Sequence, residues 1–288
     1  MSDNRGPGRP RGRPGVADGC YARHPAPPDL GGYVEALWTA EASHGAVPSR
    51  EILIPNGRPA LVVALGDPGT RHDPLTGTAH PNDGVLFGIT TRPYVLEQSG
   101  RSSYAGAQLA PWGLAALLPR ERLVDTFLPL ASWLGAAEAA RLADDLRGRE
   151  PGRARAGGLA AFVAARLTPI APGTLEALRA AVGLVDAAHG AVGVAGLAGK
   201  AGVSYSTLYR LFTANLGLPP KRYCELIRYY HGVGALLRGG DAGRALAGYY
   251  DQAHAARDFK RFTGVSASSF KRIHHGIARL MHQPDPAA

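Results

Sequence analysis

Between residues 30 and 111 the apolar positions come in short runs cut by turn formers. The stretch "EILIPNGRPALVVALGDPG" predicts two strands, residues 52–54 and 60–65, joined across Pro55-Asn56-Gly57. "GVLFGIT" and "YVLEQ" predict two more, split by Thr91-Arg92-Pro93, and "SSYAGAQLAP" predicts another. Short strands at this spacing point to a small antiparallel barrel or sandwich. The residues before them, 1–27, are dominated by Gly, Pro and Arg and read as a disordered basic tail.

From residue 119 the period changes. "ASWLGAAEAARLADDLRG" (131–148) puts Leu134, Ala137, Leu142 and Leu146 roughly on one face and predicts one helix, stopped near Gly148. "EPGRARAGG" (150–158) reads as polar and flexible. "LAAFVAARLTP" reads as a short helix ended by Pro169, and "IAPG" marks a boundary near residue 172. Residues 174–280 read as helical almost throughout. Thr174 is placed to cap the first of these helices, and Ser204, Asp251 and Ser266 to cap later ones. Gly202, Gly217 and Gly264 supply stops.

Two parts of this region share a layout: a short helix, a tight turn, then a helix opened by a cap. The first is 194–201, Gly202-Val203, then 204–215. The second is 242–248, Tyr249-Tyr250, then 251–263. This is the pattern of a helix-turn-helix pair, whose second helix enters a major groove. In the first unit Leu197, Ala198, Val203, Leu208, Leu211 and Phe212 can pack the pair, so Tyr205, Ser206, Tyr209 and Arg210 point outward. In the second, Leu246, Ala255, Phe259 and Phe262 face inward; Gln252, Ala253, His254 and Arg257 face out. Residues 221–238 read as a rigid connecting helix that holds the two readers about one DNA turn apart.

Charge supports a polyanion partner. Residues 25–199 carry 14 Arg against 16 acidic residues, whereas 200–282 carry 13 Lys or Arg against four. Genomic bias toward Arg does not leave the middle of a chain balanced while loading its ends. No run of about 18 apolar residues predicts a membrane span, and no apolar segment follows the basic N-terminus as in a secretory signal. Cys20 and Cys224 lack ligand or redox spacing, which fits a cytoplasmic protein with reduced thiols.

On these residues, 175–275 resemble the DNA-binding domain of AraC/XylS-type transcriptional regulators. The telling stretches are "GLAGKAGVSYSTLYRLFTANLGLPPKRYCELIR" and "YYDQAHAARDFKRFTGVSASSFKR". Phe212, Gly217 and Pro219 meet the first signature; Asp251, Gln252, His254, Phe259, Gly264 and Val265 meet the second. Two departures are Ala267, where the family usually has proline, and Ala255, where a large apolar side chain is common. The smaller Ala255 removes roughly 2 kcal/mol of packing from the second unit. The resemblance implies a sequence-specific DNA-binding regulator, an activator where it contacts RNA polymerase. Base contacts are implied for Ser206, Tyr209 and Arg210 in one unit and for Gln252, Ala253, His254 and Arg257 in the other. Arg pairs bidentately with guanine, and Gln with adenine. Ser204, Lys221, Arg222, Asp251, Lys260, Arg261, Lys271 and Arg272 are then placed for phosphates, which set register and affinity.

The N-terminal "PRGRPG" resembles an AT-hook, with Arg9, Arg11 and Arg13 as minor-groove side chains; a plain solvated tail is the other reading. "ILIPNGRPALVVALGDP" and "GITTRPYVLEQSGRSSYAGAQLAPWGLAALL" resemble the cupin-like barrel of a subset of these regulators. A small-molecule effector and a homodimer partner follow from that resemblance. Trp38, Tyr94, Tyr104 and Trp112 either line such a pocket or are plain core. His24, His44, His72 and His80 are scattered, with His72-Asp73 and His80 in turn-rich segments, so no metal set is expected. Ser102-Ser103 lacks a nucleophile elbow and no phosphate-binding loop occurs, so neither catalysis nor a cofactor is expected. The whole reads as α+β: a tail (1–27), a sensor or dimerisation domain (28–172; a cupin-like small β barrel at 30–118, helices at 119–168), and an all-α domain with two helix-turn-helix units (173–282). A non-specific architectural DNA binder is the rival.

Overall fold

Antiparallel pairing begins earlier than composition suggests. In the computed structural model, which describes residues 19–44, 48–73, 76–119, 121, 123–237 and 270, strand β1 (Gly19–His24) pairs with β2 (Val34–Ser43) along its whole length, Cys20 opposite Glu41 and His24 opposite Leu37. Residues 19–24, expected within a tail running to residue 27, are therefore part of a sheet. An edge strand needs only one partner, so β1 can be polar and still be held by backbone hydrogen bonds. Residues 1–18 lie outside the described residues.

The remaining strands are β3 (Ser49–Leu53), β4 (Ala60–Ala64), β5 (Gly69–His72), β6 (Ala79–Asn82), β7 (Gly84–Phe87), β8 (Tyr94–Gln98), β9 (Arg101–Leu109) and β10 (Phe127–Pro129). They form a six-stranded sheet, β1-β2-β9-β4-β7-β10, and a four-stranded sheet, β3-β8-β5-β6. The N-terminal part is sheet-rich, as expected; its strands lie in two sheets, and among the described residues no single ring of strands closes. His72 and His80, expected in loops, sit on the β5–β6 hairpin, where Arg71 pairs with His80 and His72 with Ala79. That hairpin is too polar to show a strand pattern.

The larger sheet is buried on both faces, which explains the unbroken run "ALVVA" of β4. Leu37, Leu61, Val63, Leu86, Ala105 and Leu109 point to one side, against Leu142, Leu146, Leu159 and Val163. Those four come from helices α3 (Ala136–Arg147) and α4 (Arg153–Ala164), which follow α1 (Gly113–Leu117) and α2 (Leu130–Leu134). Their strand neighbours Trp38, Val62, Ala64, Val85 and Tyr104 point the other way, toward the smaller sheet.

The single helix expected over 131–148 is two, α2 and α3, broken at Gly135, whose φ of +82° is left-handed. Its stop at Gly148 holds. The segment 150–158, expected to be flexible, instead opens α4: Ala156 and Gly158 are buried, and Arg155 pairs with Glu41 of β2 at 2.6 Å. Tertiary contact there overrides a polar, glycine-containing sequence. Helix α5 (Pro172–Ala187) starts two residues before Thr174, with Pro172 in its first turn and no side-chain cap. Then come α6 (Val194–Lys200), α7 (Tyr205–Asn215) and α8 (Pro220–Leu237). Leu178, Val182, Leu197, Leu208, Phe212 and Ile227 make their shared core, which also takes in Ile89, Ala110 and Trp112 from the N-terminal part. One apolar cluster thus joins the two halves.

Candidate nucleic-acid interface and ligand cavity

Local chemistry sets the start of α7. Ser204 is extended (φ −69°, ψ 158°), and its Oγ accepts the Thr207 amide at 3.1 Å, satisfying one of the donors a helix start leaves open. Between α6 and α7, Gly202 turns the chain at φ +68°. Leu208 and Phe212, one turn apart, are fully buried, and the Phe212 ring meets the edge of Tyr223 from α8 at 5.7 Å. The opposite face is open. Ser206 and Arg210 are exposed, and Tyr205 and Tyr209 are the exposed large apolar side chains among the described residues, at 58% and 44%. Residues 205, 206, 209 and 210 are spaced to share one stripe. The N-terminal half of the chain does not cover it. Lys221 and Arg222 are exposed on the first turn of α8, with Arg222 held by Glu225 at 2.8 Å.

A small cavity of about 80 Å³ lies between the two sheets. Trp38, Tyr94 and Tyr104 line it, as does Gln98, which is 1% exposed with neither carboxamide atom hydrogen-bonded. Burial pushes the Tyr94 hydroxyl up to about 12, Arg71 opposing and Tyr104 adding to the shift. Trp112, expected with these aromatics, is elsewhere: it packs in the inter-half core and its Nε1 donates to the Gly32 carbonyl at 2.8 Å. A second, larger cavity lies on the far side of Tyr94.

The turn joining β3 to β4 brings the first cavity to the helical half. Arg58 lines it and donates to Glu35 of β2 at 2.8 Å, to the Tyr223 hydroxyl at 2.7 Å and to Asp186 of α5 at 2.6 Å. Burial opposes its charge, but Tyr223, Glu35 and Asp186 overcome that and hold the guanidinium more firmly protonated than usual. Burial raises the Tyr223 phenol further still. Gly57 lies so close to Tyr223 and Ile227 that any side chain there would collide with them.

Residues 197–273 match the family model of a helix-turn-helix domain. The chain carries an AraC-type helix-turn-helix domain. Residues 22–126 match a domain of unknown function (DUF6597). No curated protein matches the chain. Among solved structures it is similar to ToxT from Vibrio cholerae, at 11% identity over 83% of this chain and 99% of that one, with a TM-score of 0.46. It is also similar to ToxT bound to an unsaturated fatty acid, at 10% identity over 81% and 97% and a TM-score of 0.41. The AraC-like transcriptional activator CuxR is similar at 14% identity over 74% and 82%, with a TM-score of 0.25.

The described part of the AraC-type domain brings Ser204, Ser206, Tyr209 and Arg210 onto one exposed helix end, with Lys221 and Arg222 on α8. Gln252, Ala253, His254, Arg257, Asp251, Lys260, Arg261, Lys271 and Arg272 of its second unit lie outside the described residues, as do Arg9, Arg11 and Arg13. Beyond that second unit Phe270 is described, and it is fully buried. Two features gave no sequence signal. Arg58 meets partners 128 and 165 residues away. Gln98 sits in a strand whose alternation reads as ordinary. Among the described residues no group of His, Cys, Asp or Glu is placed to hold a metal ion, and no helix is long and apolar enough to cross a membrane.

Proposed function

We propose that the chain is a sequence-specific DNA-binding transcription regulator whose AraC-type domain reads bases through α7. The observation that carries this is the exposed Ser206–Tyr209–Arg210 stripe on a helix that is capped at Ser204 and anchored by Leu208 and Phe212. A rigid helix with a free polar face is what major-groove readout requires. Arg210 then takes a guanine edge, Tyr209 and Ser206 neighbouring bases or methyls, and Lys221 and Arg222 the phosphates. In the second unit Gln252, Ala253, His254 and Arg257 take the corresponding base contacts, with Asp251, Lys260, Arg261, Lys271 and Arg272 on the backbone. Selection of bound fragments from random DNA tests this. A regulator enriches one motif and binds it at least roughly 10³-fold tighter than scrambled DNA, whereas an architectural protein enriches none.

The sensor half, residues 28–172 in this reading, takes a small effector in the cavity between the sheets. Support comes from the unpaired Gln98 carboxamide, which a ligand would satisfy, and from Arg58, which lines that cavity and holds α5 and α8 of the reading half. Residues 1–18 act as a minor-groove arm through Arg9, Arg11 and Arg13. Replacing Arg9, Arg11 and Arg13 with Ala then lowers the salt slope of binding by about 3, roughly one counterion per arginine. An unchanged slope rejects the arm.

A further inference from the structure

Tyr94, Leu96 and Gln98 are alternate residues on one face of β8, and all three line the cavity between the sheets. Trp38 and Val62 line it from the facing sheet. Gln98 is 1% exposed, and neither its Oε1 nor its Nε2 has a hydrogen-bond partner. A carboxamide in that condition leaves a donor and an acceptor unanswered away from water, which folded chains ordinarily avoid. The charged side chains of the lining are Arg58 and Glu51. Glu51 is buried, and the Arg58 charge is spent on Glu35 and Asp186. Arg71, whose Nε is also unpaired, lies beyond Tyr94 in the larger cavity and does not line this one. The lining therefore carries one charge of each sign and favours no ion.

We propose that this cavity binds a small neutral amide, a primary amide or a lactam, which pairs edge to edge with Gln98. This rests on the reading that the cavity takes an effector, and it names the chemistry of that effector. Nε2 donates to the amide carbonyl while Oε1 accepts the amide N–H, so one partner satisfies both atoms. The pairing is the same if the carboxamide is turned over, because the ligand turns with it. A carboxylate has acceptors only: it leaves Oε1 unanswered, and it meets no guanidinium that is not already engaged. A ketone fails for the same lack of a donor. Size agrees. The cavity's 80 Å³ is several times the roughly 10–15 Å³ that one water needs and about half the roughly 150 Å³ that holds benzene, so a head group of about four heavy atoms fits. Its alkyl part then lies against Leu96, Val62 and Trp38, which line the same space.

Titration of the isotope-labelled full chain, followed in amide spectra, tests it with three probes of equal heavy-atom count and shape: acetamide, acetone and acetate. The Gln98 side-chain signal is identified as the one absent from Gln98→Leu. Acetamide should shift that signal and the backbone amides of β8 saturably, with a dissociation constant of about 0.1–10 mM, as expected for so small a ligand. Acetone and acetate should bind at least about tenfold weaker, the cost of leaving a buried hydrogen-bonding atom unpaired. This comparison uses wild type alone and depends on no variant. Gln98→Leu, read on the β8 backbone amides, should bind acetamide at least about tenfold weaker. It should melt no lower than wild type, since an apolar side chain replaces an unpaired buried carboxamide. Amide selectivity is refuted, and the effector reading kept, if acetone or acetate binds as tightly as acetamide or if Gln98→Leu binds acetamide undiminished. Both fall if none of the three probes shifts the β8 amides saturably, since water then suffices for Gln98.

Discussion

Arg58 and Asp186, 128 residues apart, meet at 2.6 Å across the junction between the sheets and the helical half. The contact is part of a cluster that also holds Glu35 and Tyr223, and Arg58 keeps only 14% of its side chain exposed. Removing the cation leaves Asp186 and a buried phenol facing each other. Arg58→Met is therefore expected to cost about 2–3 kcal/mol, the range for breaking a largely buried charged hydrogen-bond network. Hydrogen exchange locates the loss: amides of α5 and α8 should exchange faster while those of α3 do not change. Equal exchange in α5 and α8 would show that the latch carries no energy.

Arg210 distinguishes base reading from simple attraction to phosphate. It is exposed on α7, and the chain offers it no carboxylate at ion-pair distance among the described residues. Arg210→Ala should weaken the selected site by about 1–3 kcal/mol and scrambled DNA much less. Arg210→Lys keeps the charge but not the fork, so it should recover scrambled-site binding and leave the specific deficit. Equal losses on both DNAs would assign Arg210 to the backbone.

The N-cap offers a cleaner measure of local order. Ser204 Oγ holds the Thr207 amide at 3.1 Å. Ser204→Ala should lower stability by about 1 kcal/mol, and Ser204→Asp should restore most of it. Chemical denaturation of the three proteins gives the comparison. No difference between Ser and Ala would mean that Leu208 and Phe212 alone fix the helix.

What the sequence revealed follows interaction range. Ser204, Gly202, Leu208 and Phe212 sit within a few turns of one another, so caps, stops and the buried stripe of α7 could be read from spacing. The strand order could not, because β4 pairs with β9 across 36 intervening residues and nothing in "ALVVA" names its partner. Trp112 shares its chemistry with Trp38, yet its indole donates to the Gly32 carbonyl and packs in the other core. The polar start of α4 was masked by Gly157-Gly158 and declared only by the distant Glu41. Gln98 and Arg71 are invisible for the same reason: an unpaired buried group is a property of the packed chain.

The two thiols should differ sharply. Cys20 is exposed on the edge strand; Cys224 is 3% exposed, and burial pushes its thiol up to about 11, Glu225 adding and Arg228 opposing. Thiolate is the reactive form, so brief iodoacetamide treatment near neutral pH should label Cys20 alone. Peptide mass mapping reads this directly. Labelling of Cys224 at a comparable rate would mean that the α5–α8 core opens readily in the native state.

Acid sensitivity follows from two histidines on the larger sheet's margin. Burial lowers His24 below its ordinary value, with Arg153 adding to the effect, and burial lowers His44. His24 lies 3.4 Å from Thr39 Oγ1, while His44 bridges Ser102 at 2.9 Å and Ser49 at 3.1 Å. Each is held neutral in the fold, whereas the unfolded chain takes up protons near the ordinary value of about 6.5. The unfolded state thus binds more protons below that pH, and stability falls as pH drops through it, levelling off once the folded groups titrate too. Both groups are only half-buried, so the effect is modest. Urea midpoints taken at about pH 7.5 and about pH 5.5 should separate for wild type more than for the His24→Gln, His44→Gln double variant, which is neutral at both. If the two proteins lose the same stability over that interval, the acid response arises from other groups.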